Sequence, residues 1–199
     1  LTMIGLFSEV VRRELRDLSP EADRWLSRIV QESRQLSDDA RDFVWSLGPG
    51  GETLLDLMNY LNRFGEELFD RTEVEFRTDG IAPELGDVRL AMESRRHICS
   101  IFKEAMNNAL RHSGGEHVRL QVGLVGDEFE ISLADDGRGY TRTSIRAGNG
   151  LKSMELRAQK IAGRIQIASR PGSGSTITLK RRAVAPTSAD DPSLARRGR

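Results

Sequence analysis

Two hairpin-like segments joined by a helical segment leave the second half of this 199-residue chain few ways to fold. The stretches HVRLQVGLVG and EFEISLADDG alternate apolar and polar residues on either side of Gly126 and Asp127, which predicts an antiparallel β-hairpin. The stretch RIQIASRPGSGSTITLKRR predicts a second hairpin that turns at RPGSGS. Between the two, GLKSMELRAQKIAG predicts a helix that ends at Gly163.

The residues ahead of these hairpins add two helices and one strand. Thr53 can cap a helix that runs to about Phe69, VEFRTDG at 74–80 predicts a strand, and a long helix is predicted over roughly residues 88–112. The order is then helix, strand, helix, two strands, helix, two strands. Over residues 51–182 this order predicts an α/β fold, a two-layer sandwich in which helices cover one face of the sheet.

The first 50 residues show apolar residues at heptad spacing instead. Ser19 and Pro20 are suited to start a second helix, which GPGG at 48–51 ends. The apolar positions are Ile4, Val11 and Leu18 in the first helix and Ile29, Leu36 and Phe43 in the second, with Trp25 and Trp45 in the same hairpin. Residues 1–50 therefore predict an antiparallel helical hairpin that dimerises as a four-helix bundle, giving a homodimer through residues 1–47. The alternative is that the apolar stripe packs on the following domain.

Composition excludes several classes of function. Thirty Lys and Arg balance thirty Asp and Glu, so the sequence predicts no nucleic-acid partner and no membrane contact. Cys99 is the single cysteine, which excludes an internal disulfide and a cysteine-based zinc cluster. No apolar run is long enough to span a bilayer, so we expect a cytoplasmic chain, with residues 183–199 as a disordered tail. Because the chain begins with Leu1 rather than Met, we expect the native polypeptide to start upstream, where it can carry a membrane anchor.

Three short motifs place polar groups at the ends of the predicted elements. In IFKEAMNNALRHS, Glu104 and Asn108 lie four residues apart on one face of the long helix. In ADDGRGY, Asp135 is the last residue before the chain turns. In GNGLKSM, glycines precede a helix, whose first N–H groups and positive dipole end suit a phosphate. Taken singly, the motifs are more typical of a solvated helix face, a hairpin turn and an ordinary helix start.

In this order and spacing, and with PGSGSTITL at the closing hairpin, the motifs resemble the ATP-binding domain of the GHKL superfamily. Three features resemble sensor histidine kinases of the nitrate-sensor and thermosensor type. They are the stretch IFKEAMNNALRHSGG, the short segment between the two glycine motifs, and the stretch GLKSMELRA. The preceding DFVWSLGPGGETLLDLMNYLNRFGEEL resembles the dimerisation region of that subfamily. The resemblance covers essentially residues 1–182.

The resemblance implies an adenine site at the end of the first predicted hairpin. Asp135 would accept a hydrogen bond from the exocyclic amine of adenine, a role that suits an anionic acceptor in a partly buried site. Gly137 and Gly139 would let the ring lie against the backbone, and the Thr176 hydroxyl would reach the adenine side. A mobile lid at about residues 140–149 would close over the nucleotide.

The resemblance also implies how the phosphates and Mg²⁺ are held. Asn108 would supply an oxygen to Mg²⁺, whereas its neighbour Asn107 is off the family spacing. Glu104 would be catalytic, because it would orient or deprotonate a nucleophile or water near the γ-phosphate of ATP. The groups implied to contact the nucleotide phosphates are Arg111, His112, Gly148, Gly150, the backbone at Leu151 and Lys152.

These roles imply the catalytic core of a two-component sensor histidine kinase, which phosphorylates a histidine and then the aspartate of a response regulator receiver domain. Residues 1–47 contain no histidine, so we expect the acceptor just upstream, unless the chain is a degenerate kinase. The alternative is an ATP-binding anti-sigma-type regulatory module without histidine phosphotransfer, although such modules usually lack a long heptad hairpin. An ATP-driven chaperone or mismatch-repair ATPase would need a longer lid and further domains.

The remaining conspicuous residues are expected to be structural. His97 and His117 have no partner residues at metal-ligand spacing, so we expect them at the surface or at helix ends. We expect Met92, Met106 and Met154 in the core, and KRR at 180–182 at the solvated end of a strand.

Overall fold

A computed structural model describes residues 7, 10, 11, 19–30, 33, 52–141 and 149–183, in a chain that divides into two compact units, Leu1–Leu47 and Gly48–Arg199. In the first unit, residues 20–30 are helical. Ser19 Oγ accepts a hydrogen bond from Ala22 N at 3.2 Å, which confirms the predicted helix start. Trp25 and Ile29 are exposed. Val11 and Ile29 are the heptad positions among the described residues. The remaining heptad positions lie outside them, and so do Trp45 and GPGG.

The second unit alternates helices and strands in the predicted order. Its helices and strands are α1 (Leu54–Phe69), β1 (Glu75–Asp79), α2 (Met92–Asn108), β2 (His117–Val125), β3 (Glu128–Asp135), α3 (Asn149–Lys160), β4 (Arg164–Ser169) and β5 (Ser175–Arg182). A 3₁₀ turn (Pro83–Asp87) precedes α2, and a π-helical turn (Ala109–Ser113) follows it. None of the helices within the described ranges is both long enough and apolar enough to cross a bilayer.

The strands form one mixed sheet in the order β1-β2-β3-β5-β4. The β2–β3 and β4–β5 pairs are antiparallel, which confirms both predicted hairpins, while β1 runs parallel to β2. In the β3–β5 pairing, Asp135 at the end of β3 lies opposite Ser175 at the start of β5. This register brings the loop after β3 beside the turn between β4 and β5.

The core lies between the helices and one face of the sheet. Alternate residues of the central strands are buried, with Leu120, Ile131 and Leu179 fully so, and they pack under apolar residues of the helices such as Leu57 and Phe102. The intervening strand residues are mostly exposed or half-buried. The predicted two-layer α/β sandwich, with helices on one face of the sheet, is confirmed.

The long helix begins later than predicted and changes its hydrogen-bond pattern at the other end. Residues 88–90 are not helical, because Leu54 N donates to Val88 O and Leu90 N donates to Glu52 O, each at 2.8 Å. The predicted start at residue 88 is therefore wrong, and the helix begins at Met92. At the other end the helix widens into the π-helical turn, which ends at Gly114 with a left-handed φ of 63°.

The end of α3 uses a different residue from the one predicted. Gly163 N donates to Ala158 O and Ala162 N donates to Gln159 O, at 2.9 and 3.0 Å, which is the Schellman pattern of a helix C-terminus. The left-handed residue is Ala162, with φ of 52°, rather than Gly163. A Cβ at Gly163 would lie 3.0 Å from Leu179 Cδ1, so glycine there serves close packing on β5.

His97 and Met92 are placed differently from the prediction. His97 is only 3% exposed, so its assignment to the surface is wrong. Burial lowers the pKa of His97, and the nearby charges of Arg96, Arg157 and Lys160 lower it further. Met106 and Met154 are buried as predicted, whereas Met92 is 43% exposed and does not belong to the core.

Candidate nucleotide-binding site

Asp135 ends β3 with its carboxylate held on both sides by the protein. Oδ1 accepts a hydrogen bond from Gly137 N at 3.0 Å, and Oδ2 accepts one from Ser175 Oγ at 2.8 Å. The residue is half-buried. Each carboxylate oxygen can accept more than one hydrogen bond, so the fixed group can still accept one from a ligand amine.

Three loops interlock around Asp135. Arg138 N donates to Ser113 O, Gly174 N to Gly137 O and Gly172 N to Arg138 O, at 2.8, 2.8 and 2.7 Å. These bonds join the loop after α2, the loop after β3 and the β4–β5 turn. We call residues 113–117, 135–139 and 170–175 the Asp135 end of the site.

The glycines of this end are required by contacts within the protein. A Cβ at Gly137 would collide with Ser113, whose own Cβ would be 2.5 Å away. Gly139 has a φ of 57°, and a Cβ there would collide with the carbonyl oxygen of Arg170. Both glycines therefore fix how the loops pack, whatever ligand the loops hold.

The hydroxyl beside Asp135 is that of Ser175. Thr176 pairs with Ala134, and successive strand residues point to opposite faces of the sheet, so Thr176 faces away from the side that Asp135 and Ser175 share. We therefore move the predicted adenine-side hydroxyl from Thr176 to Ser175. The sequence signal was available, because Ser175 directly follows the GSG turn and is the first residue of the strand.

Glu104 and Asn108 meet the first turn of α3. A Cβ at Gly150 would lie 2.5 Å from Glu104 Oε1 and 3.8 Å from Asn108 Nδ2. Leu151 is half-buried and Lys152 is exposed. We call Glu104, Asn108 and residues 150–152 the Asn108 end; it combines a carboxylate and an amide with the N–H groups of a helix start.

Other predicted residues lie near this end or outside the described residues. Arg111 and His112 are exposed on the π-helical turn that follows Asn108. Gly148 lies outside the described residues, as do residues 142–148 of the predicted lid. Tyr140, at the start of that lid, donates its N–H to Ser169 Oγ at 2.8 Å.

The Asn108 end fits a magnesium–phosphate complex. Asn107 Nδ2 donates to Lys103 O at 2.8 Å, which ties that amide to its own helix and leaves Asn108 as the amide that faces α3. Within the described ranges no group of three or more His, Cys, Asp or Glu side chains could hold a metal ion. Mg²⁺ usually takes few protein oxygens and completes its shell with phosphates and water, so a site with one amide oxygen suits it.

Sequence reasoning missed a second carboxylate at the Asp135 end. Asp136 accepts hydrogen bonds from Glu116 N and His117 N, each at 2.9 Å, and lies 2.7 Å from His117 Nδ1. His117 is exposed, as predicted. The signal for this pairing is the hairpin itself, because the end of β3 must lie beside the start of β2.

Comparisons with known proteins cover this site. Residues 93–183, which include every candidate site residue, match the family described as histidine kinase-, DNA gyrase B- and HSP90-like ATPase. The sensor histidine kinase LiaS of Bacillus subtilis is 22% identical over 181 residues, 90% of this chain and 49% of LiaS. The sensor protein VraS of Staphylococcus aureus is 31% identical over 101 residues, 50% of this chain and 29% of VraS. The chain thus spans less than half the length of either relative.

Solved structures of histidine kinases share the fold. The Acinetobacter baumannii histidine kinase AdeS aligns with a TM-score of 0.59 at 17% identity, over 91% of this chain and 95% of that one. The histidine kinase domain of an Erythrobacter litoralis blue-light-activated kinase aligns with a TM-score of 0.56 at 15% identity, over 90% and 94%. Residues 93–183 are therefore similar to the histidine kinase-, DNA gyrase B- and HSP90-like ATPases, and the chain is similar to sensor histidine kinases over part of their length.

Proposed function

We propose that this chain is the ATP-binding catalytic core of a two-component sensor histidine kinase of the nitrate-sensor and thermosensor type. It transfers the γ-phosphate of ATP to a histidine, from which the phosphoryl group passes to the receiver domain of a response regulator. The observation that carries the proposal is the closeness of Gly150, at the start of α3, to Glu104 and Asn108 on α2. It supports the proposal because the N–H groups of a helix start suit phosphates, while a carboxylate and an amide beside them suit a catalytic acid or base and a Mg²⁺ ligand.

At the Asp135 end, the proposal assigns recognition of adenine. The Asp135 carboxylate accepts the exocyclic amine, and its two bonds from Gly137 and Ser175 fix its direction before the nucleotide arrives. Gly137 and Gly139 keep the loop flat against its neighbours, so that the base can approach. Ser175 takes the hydroxyl role first assigned to Thr176.

At the Asn108 end, the proposal assigns the phosphates and Mg²⁺. Asn108 supplies an oxygen for the metal, which when bound neutralises phosphate charge. The N–H groups at Gly150 and Leu151, with Gly148 ahead of them, cradle the phosphates. Lys152 and Arg111 add positive charge, and His112 approaches the phosphates.

Glu104 is the proposed catalytic residue. Its carboxylate lies against the first turn of α3, where the γ-phosphate would be held, and so can orient or deprotonate an incoming nucleophile. None of the described histidines suits the role of acceptor: His97 is buried, His117 is paired with Asp136, and His112 belongs to the phosphate site. The proposed acceptor is therefore a histidine other than these three.

The rest of the chain follows from the same proposal. We propose that residues 1–50 form the dimerisation hairpin and residues 51–182 the catalytic domain. The predicted tail, apart from Ala183, lies outside the described residues. The exposed Trp25 and Ile29 support a homodimer through residues 1–47, since a second copy would cover them. We place the chain in the cytoplasm, without contact to nucleic acid or membrane.

One observation favours a second candidate. Residues 1–47 contain no histidine, which also suits an ATP-binding anti-sigma-type regulatory module that lacks phosphotransfer. The two candidates make different predictions for a chain extended upstream, so the experiment uses both lengths.

The test is incubation with γ-labelled ATP. We expect the chain of residues 1–199 to bind ATP and retain no acid-labile label. A longer chain that includes a histidine ahead of Leu1 should become labelled, and Asn108→Ala should abolish that label. Stable labelling of the short chain at one of its own histidines would contradict the assigned roles, and a longer chain that binds ATP without labelling would favour the regulatory module.

A further inference from the structure

Asp136, next to Asp135, ties the loop after β3 to the start of β2. Its Oδ1 accepts the N–H groups of Glu116 and His117, each at 2.9 Å. Its Oδ2 lies 2.7 Å from His117 Nδ1. The carboxylate therefore takes all three of these hydrogen bonds from two adjacent residues.

His117 faces carboxylates on more than one side. Its Nε2 lies 3.5 Å from Glu75 Oε2 on β1, the residue with which His117 pairs in the parallel β1–β2 register. Glu116 adds a third nearby negative charge, and Arg77 pairs with Glu75 at 2.6 Å. The hydrogen bond to Asp136 is the main cause that raises the pKa of His117, and the hydrogen bond from His117 N is the main cause that lowers the pKa of Asp136.

The pair acts on Asp135 through a single peptide segment. Asp135 Oδ1 accepts the N–H of Gly137, so the segment that carries Asp136 also sets the direction of the Asp135 carboxylate. Gly115 packs on this segment, where a Cβ would collide with Asp136 Oδ1 and lie 2.6 Å from Gly137 N. A movement of Asp136 therefore shifts Gly137 N and, with it, the Asp135 carboxylate.

We propose that His117 is a positioning residue of the nucleotide site: by holding Asp136 it fixes the segment from Asp135 to Gly137, and thereby the direction in which Asp135 meets adenine. The proposal rests on the proposed adenine-binding role of Asp135. If His117 has this role, nucleotide affinity depends on the protonation of His117, a residue that does not itself contact the nucleotide.

The sign of that dependence follows from the contacts. The imidazolium attracts both Asp136 and Glu75, whereas neutral His117 can keep only the Nδ1–H bond to Asp136, in one tautomer. Because the folded state raises the pKa of His117, the contribution of the charged pair is complete below the unfolded value of about 6.5 and is lost as pH rises through the folded value. Removing the His117 imidazole should therefore weaken nucleotide binding more than deprotonating it does.

The test is calorimetric titration of ADP into the full chain and its variants from about pH 5.5 to about pH 8.5, on both sides of the ordinary histidine pKa. His117→Ala removes the hydrogen bond and the charge; His117→Asn keeps an amide donor near the position of Nδ1 and removes the charge. Arg164→Ala is the matched control, because it breaks an exposed pair with Glu128 at the far end of the same sheet. The ADP phosphate also titrates with pH, and it does so equally with both proteins. The ratio of the wild-type affinity to the His117→Asn affinity therefore cancels that contribution.

We expect His117→Ala to weaken ADP binding about three- to fivefold at the acid end, the scale of an exposed ion pair. The ratio of wild type to His117→Asn should fall toward one as pH rises, and Arg164→Ala should match wild type throughout. A ratio that stays constant with pH, or a folded His117→Ala that binds like wild type, would overturn the proposal.

A second readout does not depend on binding. The ring signals of His117, followed by NMR against pH, should show a lower pKa in Asp136→Asn than in wild type, and an unchanged value would overturn the proposed pairing. If wild type binds no ADP at any pH, the nucleotide site itself is refuted and the positioning role falls with it, whatever the NMR shows. If wild type binds and Asp135→Asn weakens binding while His117→Ala does not, only the positioning role is refuted.

Discussion

The Asp135 end and the Asn108 end of the site are built in different ways. At the Asp135 end, three loops hydrogen-bond to one another, and four glycines stand where any Cβ would strike a neighbouring chain segment: Gly115, Gly137, Gly139 and Gly174. At the Asn108 end, side chains of α2 meet the first turn of α3, and the nearby side chains of Arg111, His112 and Lys152 are exposed. One end is fixed by contacts within the protein, and we propose that phosphates and Mg²⁺ complete the other.

The difference predicts two kinds of mutant. At the Asp135 end, a Cβ added at a glycine that packs against a neighbouring segment should disturb the fold together with nucleotide binding, because the same contacts serve both. A change at the Asn108 end should disturb binding and leave the fold intact.

Gly174→Ala should have the largest effect. Gly174 has a φ of 69°, and a Cβ there would collide with the carbonyl oxygen of Asp135. Because a left-handed Ala costs about 1 kcal/mol and overpacking adds about 1–3 kcal/mol, we expect the free energy of unfolding to fall by about 3 kcal/mol. Chemical denaturation measures the loss, and ATP affinity should fall in parallel.

Gly172→Ala is the matched control in the same turn. Gly172 also has a positive φ, 75°, yet no atom lies within 4 Å of a Cβ built there. The Gly172→Ala variant should lose only about 1 kcal/mol in the free energy of unfolding, from the left-handed backbone conformation, and should keep its ATP affinity. Equal losses in the two variants would contradict the interlocked packing of the Asp135 end.

Asn108→Ala should weaken ATP binding without changing stability. With Mg²⁺ present we expect a loss of about 1.5 kcal/mol, at the low end for interactions with charged groups, and a much smaller loss when the metal is chelated. Calorimetry in both conditions provides the comparison, with Asn107→Ala as the control. An equal loss with and without Mg²⁺ would indicate that Asn108 supports the fold instead of the metal.

Ala162→Gly should stabilise the domain. Ala162 holds the left-handed position that ends α3, and glycine adopts that conformation without the Cβ penalty. We expect a gain of about 1 kcal/mol in the free energy of unfolding, measured by denaturation, with ATP affinity unchanged because the Asn108 end uses the opposite end of α3. A loss of stability would show that Ala162 is not strained.

The smallest expected effect is on folding stability, which should depend on pH with opposite sign at His117 and at His97. His117, at the Asp135 end, has a raised pKa, so it stabilises the fold below about pH 6.5 and that contribution is lost as pH rises through its folded pKa. His97 lies between α2 and α3, and burial lowers its pKa, so it favours the folded state above about pH 6.5 and costs stability as pH falls. NMR titration of the ring signals should place the midpoint of His97 below that of His117, and the reverse order would contradict both assignments.

The sequence predicted the sheet better than the helix ends. Alternation in β2 and β3 and the turn at Gly126 and Asp127 determine the hairpin locally, so its register followed from the pattern. The start of α2 depends on two backbone hydrogen bonds to a part of the chain that is distant in sequence: Val88 O accepts from Leu54 N, and Leu90 N donates to Glu52 O. Helical periodicity cannot reveal such pairing.

The candidate site divides in the same way. Asp135, Glu104 and Asn108 were predicted from motif spacing, because Asp135 ends a strand and the other two lie in the last turns of a helix. Ser175 was missed because its role depends on which strand residue lies opposite Asp135. Asp136 was missed because its role depends on its contact with His117. The burial of His97 also needed the structure, because its helix face is set by the packing of α3.

The most direct test of the account is ATP titration of wild type and Asp135→Asn by calorimetry, with circular dichroism to verify the fold. We predict that wild type binds ATP and that Asp135→Asn binds it more weakly by about 2 kcal/mol, the scale of a hydrogen bond to a charged group. Equal ATP affinity in the two proteins, with the fold intact, would contradict the claim that Asp135 reads the adenine base.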